Sequence, residues 1–148
     1  MISFKTFLFI LLTSLVFTSS ACKKKDDGGI GAGDSCKISY KIGGQSFTAT
    51  PTICAYLDAT LNIGLIGSNK IQLQLNNLTS TGDYAFDDPD VILIVDDDAG
   101  NRYGGTSGTV KVTQLSNGKA KGTFSGTVTD IAGGGTSSVM DGSFETNY

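Results

Sequence analysis

The sequence contains no histidine and no tryptophan. Without histidine, neither a Ser-His-Asp nor a Cys-His catalytic group can form, and histidine-based zinc sites are excluded as well. A basic patch is also missing: the formal charge is −3, and it falls to −4 (11 − 1 basic against 14 acidic residues) if the N-terminal segment carrying Lys5 is removed. Because nucleic-acid phosphates attract basic proteins, we do not expect nucleic acid as a partner.

Glycine, in contrast, is abundant, with 20 residues in a chain of 148. Val, Ile, Thr, Tyr and Phe occur in short alternating runs and not at helical spacing, which predicts β-strands joined by many turns. The length suits one domain.

The first 21 residues have the three-part layout of a secretory signal peptide. Lys5 precedes an apolar run over residues 7–17, and small or polar residues follow it. As a helix, this run would extend for only about 16 Å, roughly half of the ~30 Å hydrocarbon core of a bilayer. We therefore predict a cleaved signal peptide, with an uncleaved membrane anchor as the less favoured alternative.

The residues that end this segment, Ser19-Ser20-Ala21-Cys22, resemble the lipobox of bacterial lipoproteins. In that family the cysteine sulfur receives a diacylglyceryl group, and the cysteine becomes the new N-terminus. Ser19 departs from the family pattern, which usually has Leu there. The run that follows Cys22, Lys23-Lys24-Lys25-Asp26-Asp27, resembles the signal that sends Bacteroidetes lipoproteins to the outer face of the outer membrane. A solvated, charged tether is the alternative, so the cell surface and the periplasmic face both remain open.

The lipobox and the composition divide the chain into three parts. Residues 1–21 form the signal peptide. Residues 22–35 carry the lipidated cysteine and a tether whose Gly- and Asp-rich stretch, residues 26–35, is predicted to be flexible. Residues 36–148 form the folded domain.

The front of this domain is predicted to be a β-hairpin. Residues 36–42 and 45–49 alternate, and a two-residue turn at Gly43-Gly44 places Tyr40 opposite Phe47. The apolar residues of both strands then share one face.

Four further strands are predicted in the middle of the chain. Residues 60–65 and 70–75 form a second hairpin around Gly67-Ser68-Asn69, and residues 82–86 form a short strand. Residues 91–95 (VILIV) are apolar on both faces, which predicts a strand buried between two layers.

Residues 109–128 predict the clearest hairpin, with a turn at Ser116-Asn117-Gly118. A three-residue loop with Gly118 in the left-handed conformation places Val110 opposite Phe124, whereas a two-residue loop would mix the two faces.

The last strand is expected over residues 138–147, with a bulge at Gly142. Seven to nine antiparallel strands with short turns predict an all-β domain, either a β-sandwich or a flattened barrel.

The mature chain also resembles a family of small Bacteroidetes lipoproteins with a β-sandwich domain of unknown function. The stretches that carry the resemblance lie at residues 40–49 (YKIGGQSFTA), 108–113 (GTVKVT), 122–126 (GTFSG) and 141–144 (DGSF). These are strand and turn motifs. The resemblance therefore implies a β-sandwich on a lipid anchor and brings no catalytic residues.

Acidic runs are the strongest charged features. Asp87-Asp88-Pro89-Asp90 and the run 96–101 flank a five-residue strand of roughly 17 Å, so they cannot form one calcium site together. Asp96, Asp98 and Asn101 are weak candidate ligands by themselves, but the run lacks the later bidentate Glu of a calcium loop. We expect a solvated turn with at most weak calcium binding, and no cofactor.

Two cysteines remain once Cys22 is used for lipid attachment. Cys36 and Cys54 are predicted to form a disulfide in an oxidising envelope, with two free thiols as the alternative.

Four tyrosines could form a platform that stacks against a sugar: Tyr40, Tyr56, Tyr84 and Tyr103. Tyr40 and Tyr84 occupy inward positions, so we expect these two in the core.

Carboxylates could still serve a glycan-acting enzyme, but the acidic clusters fall in predicted turns and not on facing strands. We therefore predict a non-catalytic, lipid-anchored protein of the outer membrane. Its domain would be a binding or adaptor module for a glycan or an envelope protein, or alternatively a structural subunit of an outer-membrane complex.

Overall fold

The computed structural model describes residues 35–64 and 71–148. The predicted signal peptide, Cys22, the tether up to residue 34 and the turn at residues 67–69 lie outside these residues. Within the described part of the chain, no helix is long and apolar enough to cross a membrane.

Ten antiparallel strands make up the described domain, which confirms the predicted all-β class. The strands are β1 (Ser35–Ile42), β2 (Gln45–Ala49), β3 (Ile53–Leu57), β4 (Thr60–Gly64), β5 (Ile71–Leu75), β6 (Gly82–Ala85), β7 (Val91–Asp96), β8 (Arg102–Ser116), β9 (Lys119–Asp130) and β10 (Thr136–Asn147). They form one sheet in the order β2-β1-β10-β9-β8-β7-β5-β4-β3, and the short β6 pairs with β8. Of these, β3 was not predicted.

The sheet curls so that strands distant in this order meet across the core. The predicted disulfide between Cys36 of β1 and Cys54 of β3 is present. The Tyr40 hydroxyl on β1 donates a hydrogen bond to the backbone carbonyl of Asp96 at the end of β7, at 3.3 Å. This single curled sheet corresponds to the flattened-barrel form of the prediction.

The register of the first hairpin is confirmed. Tyr40 lies opposite Phe47, their rings stack with centroids 5.1 Å apart, and Tyr40 is only 2% exposed. The second hairpin is also antiparallel, with Leu61 opposite Leu75.

The 109–128 hairpin has the predicted strand pairing, but its turn differs from the predicted turn. Val110 lies opposite Phe124, but Ser116 pairs with Lys119, so the loop has two residues and not three. A register shift between Val112 and Gln114 adds the extra residue within the strand. The three-residue loop was therefore wrong, because a bulge can correct the register as well as a longer loop can.

The prediction that residues 91–95 are buried on both faces is wrong. Val91, Leu93 and Val95 are buried, whereas Ile92 and Ile94 on the other face are only partly buried. In a single curled sheet, the outer face of β7 has no second layer above it.

The last strand has the bulge that the sequence predicted. The register of β10 against β9 shifts between Val139 and Gly142, and Asp141 in this bulge has a positive φ of 52°. β10 begins at Thr136, two residues before the predicted start.

Candidate functional site

The end of the domain at which the chain enters, here called the tether end, carries an aromatic groove. Ser35 pairs with Asn147, and the amide of Tyr148 donates to the carbonyl of Gly118 at 2.9 Å. The entry point of the chain therefore lies beside Tyr148 and the β8–β9 turn.

Tyr148 packs against Tyr56 of β3, with ring centroids 5.2 Å apart and ring planes inclined by 38°. The Tyr56 hydroxyl donates to the carbonyl of Leu78 at 2.6 Å, and the Tyr148 hydroxyl donates to the carbonyl of Ser116 at 3.0 Å. Burial, followed by the neighbouring Tyr56, raises the pKa of Tyr148. Both rings are thus held at two points, by their contact with each other and by their hydroxyl groups.

These rings line an open groove of about 510 Å³. Its wall consists of Tyr56, Thr79, Leu115, Ser116, Asn117, Gly118 and Tyr148. The wall combines aromatic surface with hydroxyl and amide groups, and none of its residues has a charged side chain. Such a surface suits an uncharged ligand that has both apolar faces and hydroxyl groups.

The sequence pointed to only one of the two rings. Tyr56 was among the candidate tyrosines, but Tyr148 was not, because it follows the last strand and belongs to no alternating pattern. Only the pairing of Ser35 with Asn147 brings Tyr148 next to the β8–β9 turn.

The four candidate tyrosines do not form a common platform, since they are dispersed over the domain. Tyr40 lies in the core, as predicted, and Tyr56 lies in the groove. Tyr84 is only partly buried, and its hydroxyl donates to the carbonyl of Ser80 at 2.7 Å. Tyr103 lies at the opposite end of the domain.

At this opposite end, called the far end, the acidic turn after β7 is organised around Asp97. Its carboxylate accepts hydrogen bonds from the Asn101 side-chain amide at 2.8 Å, the Asn101 backbone amide at 2.9 Å and the Tyr103 hydroxyl at 3.2 Å. The bond from the Asn101 side chain is the main cause that lowers the pKa of Asp97.

Two of the three weak candidate calcium ligands, Asp96 and Asn101, form hydrogen bonds with other side chains. Both carboxylate oxygens of Asp96 accept from the Arg102 guanidinium, at 2.9 and 3.2 Å, and Asn101 acts as a donor to Asp97. No group of three or more acidic or cysteine side chains is arranged for metal binding within residues 35–64 and 71–148. The first acidic run is also a structured turn, where Asp88 accepts from the amide of Asp90 at 2.9 Å.

A second open cavity, of about 450 Å³, lies at the far end. Its wall consists of Ile42, Gly43, Gln45, Asp97, Asp98, Ala99, Tyr103 and Ser137. Two carboxylates contribute to this wall, so it is less suited to an uncharged ligand than the groove at the tether end.

No protein-family model, curated protein or solved structure matches the chain. The resemblance to small Bacteroidetes lipoproteins therefore stays a prediction.

Proposed function

We propose that this chain is a lipoprotein of the outer membrane, anchored through lipid on Cys22, whose β-domain is a non-catalytic binding module. Its ligand is an uncharged, hydroxyl-rich molecule of the glycan class, bound in the groove between Tyr56 and Tyr148. The observation that carries the proposal is this aromatic pair in an open groove without charged side chains.

The hydrogen bonds of the two tyrosines support this choice of ligand. Because the Tyr56 and Tyr148 hydroxyls donate to backbone carbonyls, the rings keep their positions, and their remaining apolar surface is available for stacking against a sugar ring. The hydroxyl and amide groups of Thr79, Ser116 and Asn117 can exchange hydrogen bonds with the ligand.

The composition of the groove wall supports a binding role over a catalytic one, because no carboxyl side chain lines it. A general acid that works near neutral pH needs a raised pKa. Two carboxyl groups of the described residues, Asp97 and Glu145, have a lowered pKa, in each case chiefly because of a side-chain hydrogen bond. Neither of them lies in the aromatic groove.

The alternative, a structural subunit of an outer-membrane complex, is favoured by one different observation. Among the described strands, β3 is the last in the sheet order on its side, and it carries the exposed Leu57. An apolar edge strand of this kind is a typical site for pairing with another chain.

Affinity electrophoresis of the full chain in detergent, in gels that contain uncharged polysaccharides such as dextran, xylan and glucomannan, tests the proposed ligand class. We expect at least one polysaccharide to slow migration, and Tyr148→Ala to weaken this binding about tenfold because a stacking surface is lost. Tyr84→Ala, which removes a tyrosine outside the groove, is the matched control and should bind as the wild type does. Equal binding by Tyr148→Ala and wild type, or no retardation in any gel, would contradict the proposed site.

A further inference from the structure

β3 is an edge strand without the usual protection against pairing. Its sequence, Ile-Cys-Ala-Tyr-Leu, contains no charged residue and no proline, and Leu57 is 70% exposed. Within residues 35–64 and 71–148, β4 is the one strand that pairs with it. Natural edge strands usually carry lysine, proline or a bulge that blocks pairing with a further strand.

The turn that follows β3 determines which of its backbone groups face outward. Asp58 and Ala59 have φ values of 48° and 58°, as a two-residue type I′ turn requires, and Leu57 pairs with Thr60 across it. In such a hairpin the pair beside the turn is hydrogen-bonded, and the pattern alternates along the strands. The N–H and C=O groups of Cys54 and Tyr56 therefore point away from β4.

We propose that two copies of this chain pair through their β3 strands, antiparallel, around a two-fold axis at Ala55. In this register Ala55 of one copy faces Ala55 of the other, and Cys54 faces the second copy's Tyr56. The outward backbone groups then form four N–H···O=C bonds, two for each Cys54–Tyr56 pair. Alanine at the axis permits the close approach, about 4.5 Å between Cα atoms, of a pair that is not hydrogen-bonded.

In the same register, the side chains of the two β3 strands are complementary to each other. Ile53 faces the second copy's Leu57 on the outer face of the sheet, so the exposed Leu57 gains an apolar neighbour. The adjoining outer face of β4, β5 and β7 becomes continuous across the axis. Its uncharged residues are Asn62, Gln72, Gln74, Ile92 and Ile94, and its one charged residue, Asp96 at the end of β7, is paired with Arg102 of β8. Depletion of charge is a feature of interface centres.

We expect a second copy of this chain at the β3 edge because β3–β3 pairing gives a closed dimer. A two-fold pairing uses the same strand of both copies and ends there, whereas pairing of β3 with the β2 edge of another copy would extend into open filaments. β2 is also the more polar edge, with exposed Gln45 and Ser46.

Cysteine cross-linking of the full chain in intact cells tests the register. Ala55→Cys places two new thiols across the axis, within the Cα separation that a disulfide spans. We expect a cross-linked dimer under non-reducing conditions. Ser46→Cys, an exposed cysteine on β2, is the control and should remain monomeric. A cross-link to a different protein would overturn the second-copy proposal, and so would the absence of any cross-link from Ala55→Cys.

A charge variant tests the association without a covalent bond. Ala55→Lys places two like charges opposite each other at the axis and should weaken dimerisation at least about tenfold in sedimentation of the full chain in detergent. Ser125→Lys, on the exposed face of β9 in the middle of the sheet, should leave the dimer intact. A monomeric wild type, or equal association of the two lysine variants, contradicts the proposal. The groove residue Tyr148 is absent from this interface, so failure here and failure of glycan binding are separate results.

Discussion

Phenylalanine rings in the core lie against glycines, which carry no side chain. Phe86 covers Gly126 of β9, where a built Cβ atom would lie 2.6 Å from the Cε2 atom of the ring. Phe124 lies against Gly142 in the same way, with a built Cβ atom 2.5 Å from its Cδ2 atom. These contacts explain part of the high glycine content, because the rings occupy the space that a Cβ atom would need.

Gly126→Ala should therefore destabilise the domain by about 1 to 3 kcal/mol through overpacking. Gly104→Ala on the neighbouring strand β8 is the matched control. A Cβ atom there would meet only the Ile131 side chain at 3.9 Å. Its effect should stay within about 0.5 kcal/mol. Urea denaturation of both variants measures the difference, and equal stability would mean that the close contacts of Gly126 with Phe86 and with the backbone of Ser107 and Gly108 have no energetic role.

At the scale of the strands, the disulfide connects two elements that the sheet order keeps far apart. Cys36 lies near the start of β1, where the chain enters the domain, and Cys54 lies on the edge strand β3. Both cysteines are buried, so reductants reach the bond only when the structure opens.

Replacing both cysteines by alanine should lower the free energy of unfolding by about 3 kcal/mol, because the bond closes a loop with a sequence separation of 18 residues. Urea denaturation with and without a reductant provides the measurement. The stability of the wild type should fall in reductant, and that of the double variant should not change. A wild type that is insensitive to reductant after full reduction would contradict this estimate.

Alternation along the strands was sufficient to predict the class, most strands and two hairpin registers, because the side-chain period of two records which face is buried. It could not distinguish a longer loop from a bulge in the β8–β9 hairpin, since both restore the same pairing. It also missed β3, whose partly buried Ile53 and Ala55 face outward next to a buried Cys54. The aromatic groove escaped prediction because its rings meet only through the folded sheet.

At the scale of the whole molecule, the described lysines lie in one half of the curled sheet, whereas acidic residues such as Asp58, Asp90 and Asp96 lie in the other half. The lysines of the described residues lie on β1, β8 and β9: Lys37, Lys41, Lys111, Lys119 and Lys121. Next to the proposed pairing edge, the outward-facing residues of β3, β4 and β5 are uncharged, and the one charge on β7, Asp96, is paired with Arg102. In the two proposals, Cys22 serves anchoring, while ligand binding and association meet at Tyr56, whose ring lines the aromatic groove and whose backbone lies on the pairing edge.

The lipid anchor is the central claim, and partitioning of the full chain between detergent and aqueous phases, with Cys22→Ser as the variant, tests it most directly. In this proposal the Cys22 thiol accepts the diacylglyceryl group, and each buried methylene would contribute roughly 0.8 kcal/mol to membrane attachment. We predict that the wild type enters the detergent phase with an acyl mass on its N-terminal cysteine. The Cys22→Ser variant should lack that mass and lose its preference for detergent. Equal partitioning of both proteins into detergent would show that the apolar N-terminal segment is the anchor, and would contradict the account.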